Sequence, residues 1–182
     1  MKFRCLSQLT DRTGKTVGIT YTASGKIITD GISGKSIEII CSQDGKITEL
    51  KSDNRTVSFA YDGDKLVNIT DAEGNITSYT YTADNRIESV TDGKGVTYVY
   101  NVYDSEGRVT EQTNALGGIM SIRYDGHGTG IKVTVTDENN NVKYMYVDEY
   151  ERVTKVVNEN GGVTQYGYDD DGNLIYEGES GD

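Results

Sequence analysis

The sequence predicts an all-β fold: a continuous antiparallel meander of tandem hairpins, each about 20–22 residues long, curling into a spiral or partial shell. Short runs rich in Ile, Val, Thr and Tyr alternate with polar turns, which is the composition of strands and hairpins. Glycine interrupts nearly every stretch longer than about ten residues, and no window has a helical period. Two strands per repeat make a sheet too wide to stay flat, so the array is expected to wind.

One tyrosine position recurs along the whole chain. Counting from Tyr21, successive copies lie 20–22 residues apart, and one copy has cysteine in place of tyrosine. A fixed period indicates that each copy is one supersecondary unit that packs on its neighbours. We predict a structural role for the anchor residues of about eight repeats, which are Tyr21, Cys41, Tyr61, Tyr81, Tyr103, Tyr124, Tyr146 and Tyr168.

Two turns follow each anchor. The first is a short polar turn that ends on a basic or polar residue, as in the segment YDGDK that begins at Tyr61, and the second closes on glycine, as in DAEG before Asn75. Glycine supplies the positive φ angles that such tight connections need. The predicted turn glycines are Gly25, Gly45, Gly74, Gly95, Gly107 and Gly172.

The strands can be placed from these turns. We predict that Val17–Tyr21 pairs with Lys26–Thr29, and that Ser36–Cys41 pairs with Lys46–Leu50. The expected division of the chain is a partial or irregular unit at 1–17, a single array of repeats at 18–178 and a tail at 179–182.

Some apolar residues lie three apart within a predicted strand, such as Leu66 and Ile69, or Val153 and Val156. In a regular strand this spacing puts them on opposite faces. Either the strand carries a β-bulge or both faces are partly covered, and we favour the second interpretation.

The segment Tyr103-Asp104-Ser105-Glu106-Gly107-Arg108-Val109 has the pattern Tyr-Asp-x-x-Gly-Arg followed by a β-branched strand. This pattern resembles the YD repeat of the Rhs family, which includes bacterial Rhs and wall-associated proteins, shell components of insecticidal toxin complexes, and animal teneurins. The resemblance covers residues from about 18 to 178. It implies a non-catalytic structural segment of a large bacterial surface or secreted protein, forming part of a shell that encloses or presents a C-terminal toxin or effector.

The same resemblance implies the partners. They are further repeats of the parent protein, or self-association through unpaired sheet edges, together with an encapsulated toxin. The chain has no proline, and nothing in it matches the segment that closes such shells. We expect an excised piece of a longer protein that is extracellular or at the cell surface.

The net charge argues against nucleic acid and membrane as partners, and the N-terminal sequence argues against a signal peptide. The formal net charge of −11 and the pI of about 4.5 repel phosphates and anionic lipid, so neither nucleic acid nor membrane insertion is expected. No apolar run at the N-terminus is long enough for a signal peptide, and any targeting segment is expected outside this chain.

No residue pattern predicts catalysis or a cofactor. His127 is the only histidine and lies in a glycine-flanked turn, where an exposed turn residue is the simplest interpretation. The carboxylate pairs Glu149/Glu151 and Asp62/Asp64 fall at solvated turn tips. Residues 169–173, with sequence DDDGN, resemble the start of a calcium loop but lack the glutamate that completes one, so no metal is predicted.

Two features complete the sequence-based interpretation. Cys5 and Cys41 differ in repeat position, so both are predicted to be free thiols. The tyrosine ladder has two interpretations, a core of cross-strand aromatic packing or a row of sugar-binding platforms. We favour the core; the alternative function is a cell-surface adhesion module that binds carbohydrate or a partner protein through exposed tyrosines.

Overall fold

The computed structural model describes residues 6–126 and 130–180. Within these ranges the chain forms seventeen β-strands and no helix, which confirms the predicted all-β class. None of the described residues belongs to a helix that could cross a membrane. Cys5 and His127, about which predictions were made above, lie outside the described residues.

The strands belong to two compact units. The first unit comprises residues 1–81 and 90–96. Its strands follow one another as an antiparallel meander in which each pairs with the next. They are β1 (Gln8–Thr10), β2 (Thr16–Thr22), β3 (Gly25–Asp30), β4 (Ser36–Cys41), β5 (Ile47–Ser52), β6 (Arg55–Asp62), β7 (Lys65–Thr70) and β8 (Ile76–Tyr81).

The second unit comprises residues 82–89 and 97–182, and β9 (Ile87–Thr91) has residues in both units. The remaining strands again pair antiparallel in chain order. They are β10 (Thr97–Tyr103), β11 (Val109–Asn114), β12 (Ile119–Asp125), β13 (Ile131–Thr136), β14 (Val142–Val147), β15 (Val153–Val157), β16 (Val163–Tyr168) and β17 (Leu174–Ser180).

Both predicted hairpins are present. Tyr21 pairs with Lys26 in the first, and Ile40 pairs with Glu49 in the second. Each strand is bounded by the polar turns that the sequence indicates, so local turn chemistry sets where the strands end. The proposed division at 17/18 and 178/179 stays a prediction.

The apolar residues spaced three apart are explained by β-bulges. In the β6–β7 pair Ala60 faces Asn68 and Tyr61 faces Leu66, so Val67 is the extra residue. Thr154 is extra in the same way between β14 and β15. Because the extra residue shifts the alternation by one, residues on either side of it can share a face. Bulges are therefore present at these places, and every residue of β7 and β15 is also partly covered, which agrees with the preferred interpretation of two partly covered faces.

Side chains are covered mainly by their neighbours along and across the strands. Val133, at 7% exposure, and Ser89, at 8%, are the only described residues that are nearly inaccessible to solvent. Within each unit the strands contact those adjacent in sequence. Stability in such an array comes from cross-strand pairs and turns, since few of the described side chains are deeply buried.

Candidate functional site: the links between repeats

The hydroxyl group of an anchor tyrosine donates a hydrogen bond to a backbone carbonyl of the preceding repeat. The distances are 2.7 Å from Tyr81 Oη to Leu66 O, 3.0 Å from Tyr124 to Val109 and 2.8 Å from Tyr168 to Val153. The same bond occurs from Tyr21 to Leu6 at 3.1 Å, from Tyr61 to Ile47 at 2.9 Å and from Tyr103 to Ile87 at 2.5 Å.

The ring of the same tyrosine lies beneath a cation. Arg108 precedes the acceptor Val109, and its guanidinium is 4.4 Å from the centre of the Tyr124 ring. The corresponding pairs are Arg152 with Tyr168 at 4.8 Å, Lys65 with Tyr81 at 5.6 Å, Arg86 with Tyr103 at 5.8 Å and Lys46 with Tyr61 at 5.9 Å. Each cation is attracted to the negative face of the ring. A tyrosine is thus held to the preceding repeat at both its ring and its hydroxyl.

Sheet register brings these groups together. In the β11–β12 pair Glu111 faces Ser121 and Thr113 faces Ile119. Continuing that register puts Tyr124 opposite Arg108, where cross-strand side chains touch. This role of the basic residues was not predicted from the sequence. A signal was available, because each lies 15 to 17 residues before the next anchor.

The aspartate after the anchor orients the cation. One carboxylate oxygen of Asp104 accepts hydrogen bonds from the backbone amides of Glu106 and Arg108, both at 2.9 Å. Its other oxygen accepts from Nε of Arg108 at 2.8 Å. Asp148 binds Tyr150 and Arg152 in the same way. In both turns, therefore, an aspartate four residues before the arginine holds that arginine over the tyrosine of the next repeat.

A single turn geometry recurs between strands. The amide of the first residue donates to the carbonyl of the fifth, and the amide of the fourth donates back to the carbonyl of the first. The fourth residue has positive φ, which glycine adopts without strain. Within residues 6–126 and 130–180, turns of this kind begin at Asp11, Ser42, Asp71, Thr82, Asp92, Asp104, Asn114, Asp137, Asp148, Asn158 and Asp169.

The predicted turn glycines fall into two groups. Five of them occupy the fourth position of this turn, namely Gly45, Gly74, Gly95, Gly107 and Gly172. Gly25 is different, because it begins β3. A Cβ atom there would collide with the backbone carbonyl of Ile39, so close strand approach is what requires glycine.

Glu151 occupies the fourth position of its turn with φ of 62°. A side chain other than glycine is strained there by about 1 kcal/mol or more. We expect Glu151→Gly to raise the free energy of unfolding by about 0.5–1 kcal/mol. The gain is smaller than the full strain, because glycine also increases the conformational entropy of the unfolded chain. Thermal unfolding followed by circular dichroism measures this. Asn85→Gly is the control and should gain less, because asparagine tolerates this conformation; equal or opposite shifts would contradict the strain at Glu151.

Three anchors depart from the common link. Cys41 has a free thiol, within the part of the chain that the structure describes. Tyr21 keeps its hydroxyl bond but is 51% exposed. Tyr146 pairs with Lys132 in the sheet, yet the Lys132 ammonium lies over Tyr144 at 4.1 Å. The cation over the Tyr146 ring is instead Lys155, at 5.3 Å, and its hydroxyl makes none of the hydrogen bonds seen among residues 6–126 and 130–180. This repeat is therefore linked differently.

The turn carboxylates have lowered pKa values. The pKa of Asp104 lies below its ordinary value, chiefly because the Arg108 amide donates to the carboxylate. The Val96 amide is the main cause of the lowered pKa of Asp92. The hydrogen bond from Lys46, followed by that from Ser42, lowers the pKa of Asp44 to about 2. Hydrogen bonds to the charged form favour ionisation.

These shifts predict acid sensitivity. When folding lowers the pKa of a carboxylate, the unfolded chain takes up the proton at a higher pH than the folded chain does. The stability that the carboxylate contributes above its ordinary pKa of 3.8 is therefore lost as the pH falls. For Asp44 this loss extends down to its folded-state pKa of about 2. We expect the thermal midpoint to be steady from pH 7 to 5 and to drop between about pH 4 and 2. Circular dichroism melts across this range test it.

Asp92→Asn is the control for that experiment. Asparagine already begins the turns at Asn114 and Asn158, where its side-chain oxygen accepts the same pair of amide bonds. The variant should fold equally well at neutral pH and lose less stability in acid. A midpoint independent of pH in the unsubstituted chain would contradict the role of the carboxylates.

The other candidate residues either have structural partners or lie at exposed turn tips. Asp169 accepts hydrogen bonds from the backbone amide of Asn173 at 2.8 Å and from its side-chain nitrogen. Asp64 forms an ion pair with Lys46 at 2.8 Å. Glu149 is exposed at a turn tip. No group of three or more His, Cys, Asp or Glu among the described residues is arranged to hold a metal ion.

Comparison with known proteins places these features in a family. Residues 4–114 match the family model described as Teneurin YD-shell. The chain belongs to the teneurin YD-shell family. This confirms the resemblance drawn from the Tyr-Asp-x-x-Gly-Arg pattern. No curated protein matches the YD-shell chain.

Solved structures similar to this YD-shell chain belong to much larger proteins. One is a mutant Tc holotoxin pore of Photorhabdus luminescens, with 13% identity, 96% of this chain and 14% of that chain covered, and a TM-score of 0.49. Another is the crystal structure of TcdB2-TccC3-TEV, with 13% identity, 95% and 11% coverage, and a TM-score of 0.46. The chain therefore spans about a seventh or less of these proteins.

Proposed function

We propose that this chain is a stretch of wall in a YD-type shell and acts as a structural, non-catalytic element. The observation that carries the proposal is the link between repeats, in which an anchor tyrosine is held by a carbonyl and a cation of the preceding repeat. Because the tyrosine ring and hydroxyl already contact the cation and carbonyl, these contacts stabilise the array and leave the anchor tyrosines few free groups to bind a substrate. Membership of the YD-shell family supports the same role.

In this proposal the complete shell encloses or presents a toxin or effector that follows it in the chain. The parent protein is secreted or lies at the cell surface. Support for both statements is the resemblance of the repeats to those of the Rhs family. The remaining repeats of the parent protein supply the strands that continue the wall.

Adhesion through the anchor tyrosines is less well supported. Apart from Tyr21, the anchor tyrosines are partly buried, and most have both ring and hydroxyl engaged. The more exposed rings, such as Tyr150 at 69% and Tyr176 at 53%, are not anchors. The experiment therefore has to distinguish carbohydrate binding by an adhesion module from the shell role.

The experiment combines two measurements on the purified chain. Size-exclusion chromatography with light scattering over a range of concentrations should show association through unpaired sheet edges. A pull-down on peptidoglycan and on mixed glycans should show no retention. A monomer retained by glycan, with retention lost in Tyr150→Ala, would contradict the shell role and favour the adhesion module.

A further inference from the structure

The two faces of the sheet in the second unit carry different side chains. The register from β12 to β14 puts the anchor Tyr124 on one face with Val133 and Met145. The opposite face carries a cluster of basic, aromatic and hydroxyl side chains, which we call the basic face: Arg123, Lys132, Thr134, Tyr144, Tyr146 and Lys155. Because the net charge of the chain is −11, a cluster with more cations than carboxylates differs from the chain as a whole.

The tyrosines of the basic face take no part in the tyrosine link between repeats. The residue before the common turn is Tyr168 in the last repeat, but it is Val147 before the turn that begins at Asp148. Tyr146 is one residue earlier, and successive residues of a strand point to opposite faces. Tyr146 therefore lies on the face opposite to the anchors Tyr124 and Tyr168.

Two lysines lie in one row across the basic face. Lys132 pairs with Tyr146, and Tyr146 pairs with Lys155. Since neighbouring strands are about 4.8 Å apart, the Cα atoms of the two lysines are about 10 Å apart. Each ammonium lies over a tyrosine ring, Lys132 over Tyr144 at 4.1 Å and Lys155 over Tyr146 at 5.3 Å. The rings therefore hold two cations at a defined separation.

Neither lysine forms an ion pair with the residues that the structure describes. Asp125 faces Lys132, but its carboxylate forms an ion pair with Arg123 at 2.9 Å. On this face of strands β12 to β16, which lie within the described residues, Asp125 is the one carboxylate. Glu149 lines a cavity together with Lys132 and forms no ion pair with it either. The row thus carries two positive charges that the described residues do not neutralise.

A groove adjoins this row. It has a volume of about 570 Å³, and its lining includes Arg123, Lys132, Thr134 and Tyr144. The Thr134 hydroxyl is inaccessible to solvent, so this residue lies at the bottom of the groove. Glu111 also lines the groove, but the register puts it two strands and four residues from Lys132. The end of the groove at Lys132 is therefore the positive one.

The cover over the tyrosine rings bears on the kind of ligand. Bases and sugars bind aromatic side chains by stacking on an open ring face. Lysines lie over the faces of Tyr144 and Tyr146, which makes these rings poor stacking platforms. A carboxylate needs no open ring, because it binds the ammonium groups directly.

We propose that the basic face binds an acidic polypeptide segment in an extended conformation, with two carboxylates of the segment bound to Lys132 and Lys155. Alternate side chains of an extended chain point to the same side about 7 Å apart, and flexible glutamate and lysine side chains bridge the remaining distance. This inference goes beyond the proposed structural role and does not depend on whether the chain forms a shell wall.

The test measures binding of a labelled, capped peptide of alternating threonine and glutamate to the full chain by fluorescence anisotropy. The buffer contains about 0.15 M salt, where charges more than about 8 Å away are largely screened and the negative net charge has little effect. A peptide with glutamine in place of each glutamate should bind about ten-fold more weakly or not at all. Equal binding of the two peptides would overturn the proposal.

Chain variants locate the site. Lys132→Gln and Lys155→Gln should each weaken binding by about two- to five-fold, while Lys132→Arg keeps a cation over the ring and should bind as before. Lys143→Gln is the matched control, because Lys143 is exposed on β14 but faces Val135 on the opposite face. The control removes the same charge and should leave binding unchanged. Equal weakening by Lys143→Gln and Lys132→Gln would contradict the basic face as the site.

Competition identifies the class of ligand. A single-stranded oligonucleotide and an oligogalacturonate, each matched to the peptide in charge, should displace it poorly. Tighter binding of either would overturn the assignment to a polypeptide. If the chain associates in light scattering and the glutamate peptide does not bind, the shell role stands and the basic-face site is wrong.

Discussion

Replacing Tyr103 by alanine is expected to lower the free energy of unfolding by about 2–3 kcal/mol. The ring is partly buried and lies beneath Arg86 at 5.8 Å, while the hydroxyl binds the carbonyl of Ile87 at 2.5 Å. Alanine removes both contacts and leaves a gap between consecutive repeats. A guanidinium titration followed by circular dichroism measures the change; a loss below about 1 kcal/mol would contradict the packing role.

Two phenylalanine variants separate the ring from the hydroxyl. Tyr103→Phe keeps the ring and should cost about 1 kcal/mol, the usual contribution of one hydrogen bond. Tyr146→Phe should cost close to nothing, because the Tyr146 hydroxyl has no partner among the described residues. Equal costs for the two variants would show that the hydroxyl bond does not stabilise the link.

Gly107→Ala is expected to cost more than the same change at Gly74. Both glycines occupy the fourth position of the common turn, with φ of 84° and 88°. Alanine in that conformation costs about 1–2 kcal/mol. A Cβ atom at Gly107 would also collide with the guanidinium of Arg86, whereas nothing lies within 4 Å at Gly74. The collision moves Arg86 off the Tyr103 ring, and the link is weakened as well as the turn.

The two alanine variants form a matched pair in denaturant titrations. The loss in free energy of unfolding of Gly74→Ala measures the backbone strain alone. The additional loss in Gly107→Ala measures the effect of displacing Arg86. Combining Gly107→Ala with Tyr103→Ala gives the check, because the excess should vanish once the ring is absent. An excess that persists without Tyr103 would mean that Arg86 acts through some other contact.

Both predictions locate the stability of the chain in its links and turns. With few nearly inaccessible side chains, each repeat depends on contacts with its neighbours. Weakening one link therefore affects the array locally, where the two adjoining repeats meet. This is the behaviour expected of an array of repeats.

The sequence by itself determined the repeat, the all-β class, the hairpin pairs in the first unit and the positions of the turns. These features are local, since a glycine four residues into a turn and a run of β-branched residues act through their own backbone preferences. The anchor tyrosines were also found from the sequence, because their period is visible without any structure. The YD pattern was specific enough to indicate the family.

Only the tertiary structure decided what the anchors bind and which apolar residues share a face. The acceptor carbonyl of Tyr124 and the cation over its ring are brought near by the register of two strands. The bulge at Val67, which allows Leu66 and Ile69 to share a face, is likewise a property of the β6–β7 pair. Register and bulges depend on the pairing of separate strands, and no single stretch of sequence contains that information.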